Sequence, residues 1–483
     1  MKLNKQIFWL YLIMFFVFSS CKKDEQLTDS GAKLNFSTDE VLFDTVFTTV
    51  GSTTKIFKIY NPHSQSLSIS KAFLATGSNS QFRINIDGVS GTSFTDIEIM
   101  AGDSLFAFVQ VTVDPNGTNS PMLIKDSIIF VTNGNTQDVN LTAVGQDVYL
   151  HKPDHFSTTG FPPYSIIDCN AIWTDDKPHL IFGYAVVDEG CTLTMMERTR
   201  VHLNNQAVLW IYDGGTLKIL GSKGNEVTFH GARLEPEYKE LPGQWGKIWL
   251  SAGSLNNVID WAIIKNGSIG VQADTLGASA SPTLLITNTI IKNMSAAAVY
   301  GQGSFIRSYN CVFANCGQYV AALTIGGRYS FEHCTFANFW SGSQRTTPSI
   351  ALSNYYIDIN GTTQIRDLDS AYFGNCIMYG NIDEEIGLDS STFGGNFNYK
   401  FDHCLVKTTL NTTDGVHYNT VSPYQNLDPQ FVDASVNNYQ LKATSPAIDQ
   451  GNPTSIIFDL NGIFRPHSST SIPDLGAYEY SPF

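Results

Sequence analysis

Asn288-Thr289-Ile290-Ile291-Lys292-Asn293 recurs as Asn310-Cys311-Val312-Phe313-Ala314-Asn315 and again as His333-Cys334-Thr335-Phe336-Ala337-Asn338. The frame extends to Asn375-Cys376-Ile377-Met378-Tyr379-Gly380-Asn381 and Asp260-Trp261-Ala262-Ile263-Ile264-Lys265-Asn266, each with one extra residue. Its first half returns at His403-Cys404-Leu405-Val406. The cysteines fall at 311, 334, 376 and 404, intervals of 23, 42 and 28 residues; the middle one is nearly two periods, because an insertion lies inside it. A period near 23 residues that carries short strands rather than helices predicts one coil of a parallel β-helix per repeat. Roughly ten coils paired at about 4.8 Å would place equivalent residues directly above one another. Inward positions then become ladders of Ile, Val, Phe and Cys, in which the cysteines serve packing rather than redox or metal chemistry. Turn positions become Asn ladders, with the amides of Asn266, Asn293, Asn315, Asn338 and Asn381 expected to bond coil to coil. His333 and His403 stand at ladder positions as turn or core residues, not ligands.

Working outward, Val186-Val187-Asp188-Glu189-Gly190-Cys191-Thr192-Leu193-Thr194 and Leu209-Trp210-Ile211-Tyr212-Asp213-Gly214-Gly215-Thr216-Leu217 are strand-turn units of similar spacing, and Asp175-Asp176 falls before them. Phe161-Pro162-Pro163 marks a connector. Before it, from Lys33 to Asp147, alternating strands such as Lys55-Ile56-Phe57-Lys58-Ile59-Tyr60 are punctuated by Asn61-Pro62 and Asp114-Pro115-Asn116-Gly117. Period-two patterning with frequent turns predicts an antiparallel sandwich. The fold class is therefore all-β, a sandwich followed by a parallel β-helix.

Three segments resemble known families. Leu42-Phe43-Asp44, Tyr60-Asn61-Pro62, Phe82-Arg83-Ile84 and the closing Val139-Asn140-Leu141-Thr142-Ala143-Val144-Gly145 resemble immunoglobulin-like domains of the ASH/MSP group, which are usually spacers or scaffolds. Gly214-Gly215-Thr216-Leu217, Val227-Thr228-Phe229 and Trp245-Gly246-Lys247-Ile248 resemble the opening coils of right-handed β-helix proteins of Bacteroidetes-type bacteria. Ser445-Pro446-Ala447-Ile448-Asp449-Gln450-Gly451, Asp459, Arg465-Pro466 and Asp474-Leu475-Gly476-Ala477-Tyr478-Glu479 look like the closing segment called choice-of-anchor Q. Asp449, Asp459 and Asp474 read as turn-fixing acceptors that pair with Arg465. No cofactor is expected; calcium is the alternative for which their hard oxygen ligands would be suited.

Lys2 and Lys5 precede an apolar run from Ile7 to Phe18, then Ser19-Ser20-Cys21. The run is shorter than the roughly 20 residues that span a bilayer and describes a secretory signal. With Cys21 it resembles a lipobox, although Phe18 stands where Leu is usual. The resemblance implies diacylation of Cys21, and Lys22-Lys23-Asp24-Glu25 resembles the signal that sends such lipoproteins to the outer cell surface. The expected order is signal peptide 1–20, tether 21–32, sandwich 33–147, β-helix 148–425 and closing segment 426–483. The membrane partner is reached through the lipid, and the address is the outer membrane, facing outward.

Among 483 residues only 15% are charged, the net charge is -15, and 31 Phe and 21 Tyr are present. That excludes disorder and disfavours nucleic acid, for want of a basic stripe. The eight cysteines leave an odd seven after Cys21, arguing against a full disulfide framework, and none shows zinc spacing. The candidate ligand-binding residues lie in one insertion, Trp340 to Ser370: Trp340, Tyr355, Tyr356, Arg366, Asp367 and Asp369, with Arg345 and Asp358 beside them. Aromatics there would stack on sugar rings and Arg366 would pair with an acidic sugar, while Tyr355-Tyr356-Ile357-Asp358-Ile359 doubles as an extra strand covering the stack. The insertion Ala232 to Gly243 reads as an acidic solvated loop, and Lys265 and Lys292 as matching surface lysines. No nucleophile elbow, zinc-protease motif, phosphate loop or dinucleotide fingerprint occurs, so no catalytic residue is assigned. The leading expectation is a non-enzymatic glycan-binding or adhesion protein. The alternative is a lyase or hydrolase acting on acidic polysaccharide.

Overall fold

Alternation and repeat build two different units from one chain. The computed structural model describes residues 26–117, 121–158, 160–274, 281–468 and 470–482. Cys21, Lys22-Lys23-Asp24-Glu25 and the apolar leader lie outside the described residues. Two compact units meet in sequence between Asp147 and Val148. Among the described residues no helix is long and apolar enough to cross a membrane.

The first unit is two five-stranded sheets. One joins Asn35–Phe36, Lys55–Tyr60, Ser104–Val111, Phe82–Ile86 and Val89–Gly91; the other joins Glu40–Phe47, Asn135–Gln146, Met122–Thr132, Leu67–Leu74 and Ser93–Ile99. Alternate side chains from both sheets, among them Phe43, Phe57, Ile69, Phe82, Val109, Phe130 and Leu141, share one core. Pairing is antiparallel except where Glu40–Phe47 runs parallel to Asn135–Gln146, with a register shift between Thr142 and Val144.

The second unit is three parallel sheets of ten, nine and ten strands, each coil but the last contributing one strand to each sheet in turn. Coils begin at Tyr149–His151, Tyr164–Ile166 and Ile172–Trp173, earlier than the first repeat visible in the sequence. Asp175-Asp176 therefore lies inside the stack, at the turn before His179–Ile181. In the first sheet the inward column runs Val201, Phe229, Ile264, Ile291, Phe313, Phe336, Met378 and Val406, all fully buried. In the third, Phe331, Phe373, Phe401 and Tyr418 stack nearly parallel, with centroids 5.4, 4.9 and 5.5 Å apart. Each such burial is worth about 1.5–3 kcal/mol before entropy is counted.

The core cysteines behave as the ladder predicts. Cys311, Cys334, Cys376 and Cys404 are buried and free, and the thiols of Cys376 and Cys404 reach back 3.6 and 3.3 Å to the carbonyls of Phe331 and Phe373 in the preceding coil. Burial pushes the Cys316 thiol up to about 12. Cys169 and Cys191 depart from the expectation of small buried hydrophobes: they form a disulfide. Asn288, Asn310, His333, Asn375 and His403 all have positive φ, 48–53°, the conformation in which Asn is best tolerated among non-glycine residues. In this column, side chains do bond coil to coil: Asn310 to Asn288, 3.3 Å, and Asn375 to His333, 2.9 Å. The other column does so in part: Asn315 Oδ1 accepts the Phe339 N–H and Asn338 Oδ1 the Cys316 N–H across adjacent coils, both at 3.0 Å. Asn266 donates to the Lys239 carbonyl, Asn293 to Glu240 and Asn381 to the Trp340 carbonyl, anchoring insertions instead.

The C-terminal segment lies along the outside of the first sheet. Phe431, Tyr439, Leu441, Leu460, Leu475 and Tyr478 cover Val312, Ala337, Ile377 and Leu405. Arg465 donates to Glu479, 2.7 Å, and to the Asp474 carbonyl. Both carboxylate oxygens of Asp459 and of Asp474 accept backbone N–H groups. Burial pushes Glu479 up to about 7, against the pull of Arg465. The segment thus covers one face of the stack and leaves the other two sheets to be judged on their own surfaces.

Candidate functional site

Parallel stacking turns one outward position per coil into a continuous column. On the second sheet the inward column is Ala185, Leu209, Ile248, Val271, Val299, Ala321, Ile350 and Ile386. The outward column beside it reads Val186, Trp210, Trp249, Gln272, Tyr300, Ala322, Ala351 and Gly387. A polar column follows: Asp274, Gln302 and Thr324 in register, then Ser353 and Asp389. Apolar bulk at one end therefore gives way to small residues at the other.

The small residues make a trough of about 510 Å³. Its floor is Ala322, Ala351 and Gly387 in register, its flanks Tyr300, Tyr319 and Pro348, and its polar edge Thr324, Ser353 and Asp389; Ala297 and Gln318 lie toward the opposite end of the strands. A methyl or hydrogen at each floor position lets a flat chain lie against the sheet, while hydroxyl and carboxylate groups converge from one side and the Gln318 amide stands at the other. The middle of the face is closed by its own contacts. Lys247 Nζ stands 4.5 Å over the Trp249 ring and donates to Gln272, 2.6 Å; Trp249 Nε1 donates to Asp274, 2.7 Å. Burial holds Lys247 below the ordinary lysine range. At the aromatic end, a cavity of about 370 Å³ is lined by Ser157, Phe161, Tyr164, Ile166, Val186, Asp188, Trp210 and Tyr212. On the sandwich, an open hollow of about 710 Å³ is lined by Thr54, Arg83, Asn85, Phe108 and Gln110 among others.

The six candidate residues are not one cluster. The insertion from Trp340 to Ser370 is two, because Ile350–Ser353 returns to the second sheet. Trp340 belongs to the first part, its indole donating to Ser343. Tyr355 and Tyr356 belong to a hairpin, Tyr355–Ile357 with Thr363–Ile365. This hairpin does not cover the stack: Ile357 is 65% exposed and Ile359 fully exposed. Tyr355 is the one that meets the face, its hydroxyl donating to Asp389, 2.8 Å. Arg366 lies 5.6 Å from the Tyr356 ring and donates to the Ile365 carbonyl. Asp367 accepts from the Asn396 backbone, and Asp369, on the third sheet, pairs with Arg328. Arg345 is buried in a two-pronged ion pair with Glu385. The acidic loop is not simply solvated either: Glu235 is buried against Arg233, and Glu240 bridges the adjacent Lys265 and Lys292.

The trough was beyond sequence reasoning because its floor consists of ordinary alanines and a glycine. Trp210 and Trp249, at equivalent places in consecutive coils, were the only signal of an outward column.

Residues 164–336 match the family model described as a right handed beta helix region. No curated protein matches the chain. Among solved structures, the catalytic unit of a thermostable GH87 alpha-1,3-glucanase from Streptomyces thermodiastaticus strain HF3-3 is similar at 10% identity and TM-score 0.27, over 73% of this chain and 72% of that one. The Agl-KA catalytic domain is similar at 10% identity and TM-score 0.31, over 72% and 75%. A family 123 glycoside hydrolase from Clostridium perfringens matches at 8% identity and TM-score 0.17, over 24% of this chain; the match spans 26% of that enzyme's length.

Proposed function

We propose that this chain is a lipid-anchored cell-surface protein that binds a neutral glycan along the outer face of its second sheet, as a binding or adhesion protein rather than a catalyst. The observation that carries this reading is the trough: a floor of small side chains in register over consecutive coils, flanked by two tyrosines and edged by hydrogen-bonding groups. A linear polymer laid along the axis there meets a small side chain at three successive steps of about 4.8 Å, Ala322, Ala351 and Gly387. Asp274 and Asp389 stand four coils apart on this face, roughly 19 Å. Pairs of carboxylates that share a glycosidic bond stand about 5–9.5 Å apart. Lys247 is engaged by Trp249 and Gln272, so the face favours a neutral chain over an acidic one. Cys21 and the residues before it support the lipid anchor, and the Cys169–Cys191 disulfide suits an oxidising, extracytoplasmic compartment.

The test is retention of the purified chain on neutral and acidic polysaccharides, alongside assays for reducing ends and for unsaturated products. Retention on a neutral glycan, abolished by Ala351→Trp in the trough floor, is the expected result. Release of products would move the protein to the enzymes. Retention that Ala351→Trp leaves intact would take the ligand away from this face.

A further inference from the structure

The aromatic end of the same sheet has different chemistry from the trough. Trp210 is buried between two parallel rings, Trp249 at 5.0 Å and Phe161 at 5.8 Å, and Tyr212 meets it edge-on at 5.4 Å. Phe161 and Tyr212 nevertheless remain 51% and 40% exposed around the cavity of about 370 Å³. Exposed aromatic surface gathered about a concavity marks an interaction site. Asp188 is the one charged residue in the lining. One of its oxygens accepts the Glu189 backbone N–H, 2.9 Å, and the other has no partner among the described residues.

One coil further along, the protein assembles this combination from its own parts. The Lys247 ammonium sits 4.5 Å over Trp249, and the indole N–H of that ring binds the Asp274 carboxylate. At the cavity the chain supplies the rings and the carboxylate but no lysine or arginine. Aromatic faces and a carboxylate attract an ammonium group and offer little to a neutral one.

We propose that this cavity binds an organic ammonium group, carried either as a quaternary headgroup or as the free amine of an amino sugar. The site is separate from the trough and does not depend on the glycan reading. Titrating the full chain with tetramethylammonium and with glucosamine, against tert-butanol and glucose as neutral counterparts, tests it by calorimetry and tryptophan fluorescence. Both amines should bind more tightly than their counterparts, and the tighter of the two identifies the source. Asp188→Asn and Tyr212→Leu should each weaken the amine by about tenfold in Kd without lowering the thermal unfolding midpoint. Ala351→Trp, in the trough, should leave amine binding unchanged. Equal binding of neutral counterparts, no binding of either amine, or affinity untouched by both cavity variants would overturn the assignment.

Discussion

Removing the Arg345 guanidinium is the sharpest test of how the trough wall is held. The Arg345 and Glu385 side chains are 1% and 0% exposed. Nη1 donates to Glu385 Oε2 at 2.8 Å and Nη2 to Oε1 at 2.6 Å; the same fork reaches the carbonyls of Thr347 and Asn338 and the side chain of Asn381. Glu385 also accepts from Ser349 N, Ser349 Oγ and Ile382 N. In Arg345→Ala the carboxylate keeps those three donors but loses its countercharge, and two carbonyls lose a charged donor. Breaking a buried pair on one side costs about 3–5 kcal/mol, and the surviving donors place this case near 3 kcal/mol. Two units unfold in one chain, so the probe must see only one of them. Tryptophan fluorescence does, because Trp173, Trp210, Trp245, Trp249, Trp261 and Trp340 all lie in the β-helix and residues 33–147 contain none. A urea midpoint lowered at unchanged slope is the expected signature. Arg345→Met with Glu385→Leu removes both charges and should cost much less than the sum of the single changes. Since Pro348 lines the trough, Arg345→Ala should also weaken glycan retention. A loss below about 1 kcal/mol, or a double variant that costs the full sum, would refute a coupled buried pair.

Three further outcomes follow from the same geometry. Replacing Cys169 and Cys191 by serine opens a link between residues 22 apart and should cost about 3 kcal/mol; reductant should then lower the midpoint of the parent and not of the variant. Burial holds His151 at about 4, His179 at about 3 and His230 at about 4, with His202 and His333 well below the ordinary value. The stability these neutral rings contribute is full above about pH 6.5 and falls as pH drops from there toward 4, by roughly 1.4 kcal/mol per pH unit for each. Glu479, raised to about 7, acts in the opposite sense, contributing below its unfolded value and losing that as pH rises through 7. The histidines outnumber it, so urea midpoints should drop between pH 7 and 5, and a flat profile would contradict their burial. Asn310→Ala loses side-chain bonds to the Phe458 carbonyl and Asn288 and strains a residue at φ 53°; about 2–3 kcal/mol is expected, with Asn310→Gly less costly because it loses the same bonds without the strain.

Why the stack is legible in the sequence and its working face is not follows from what each position must satisfy. A turn in the left-handed region asks for Asn at every coil, and an inward site asks for a compact apolar group. Asn288, Asn310 and Asn375, and Cys311, Cys334, Cys376 and Cys404, therefore repeat visibly. An outward column asks nothing in common of its members. Trp210, Trp249, Gln272, Tyr300, Ala322, Ala351 and Gly387 share a line in space but no chemistry, at intervals of 39, 23, 28, 22, 29 and 36 residues. Insertions fall between coils without disturbing the pairing, so a stretch such as Trp340 to Ser370 reads as one loop although Ile350–Ser353 divides it. Partnerships across that division are equally hidden: Arg345 looks like a loop cation because Glu385 lies forty residues on. The disulfide was within reach of the repeat itself. A separation of 22 residues is one coil, and one coil puts equivalent Cα atoms 4.9 Å apart, inside the range a disulfide requires. Stacking logic that explains four core cysteines as packing thus pairs exposed Cys169 with Cys191, which only partly packs on the core. What distinguishes the cases is the direction each side chain faces within its coil, and spacing alone does not carry that.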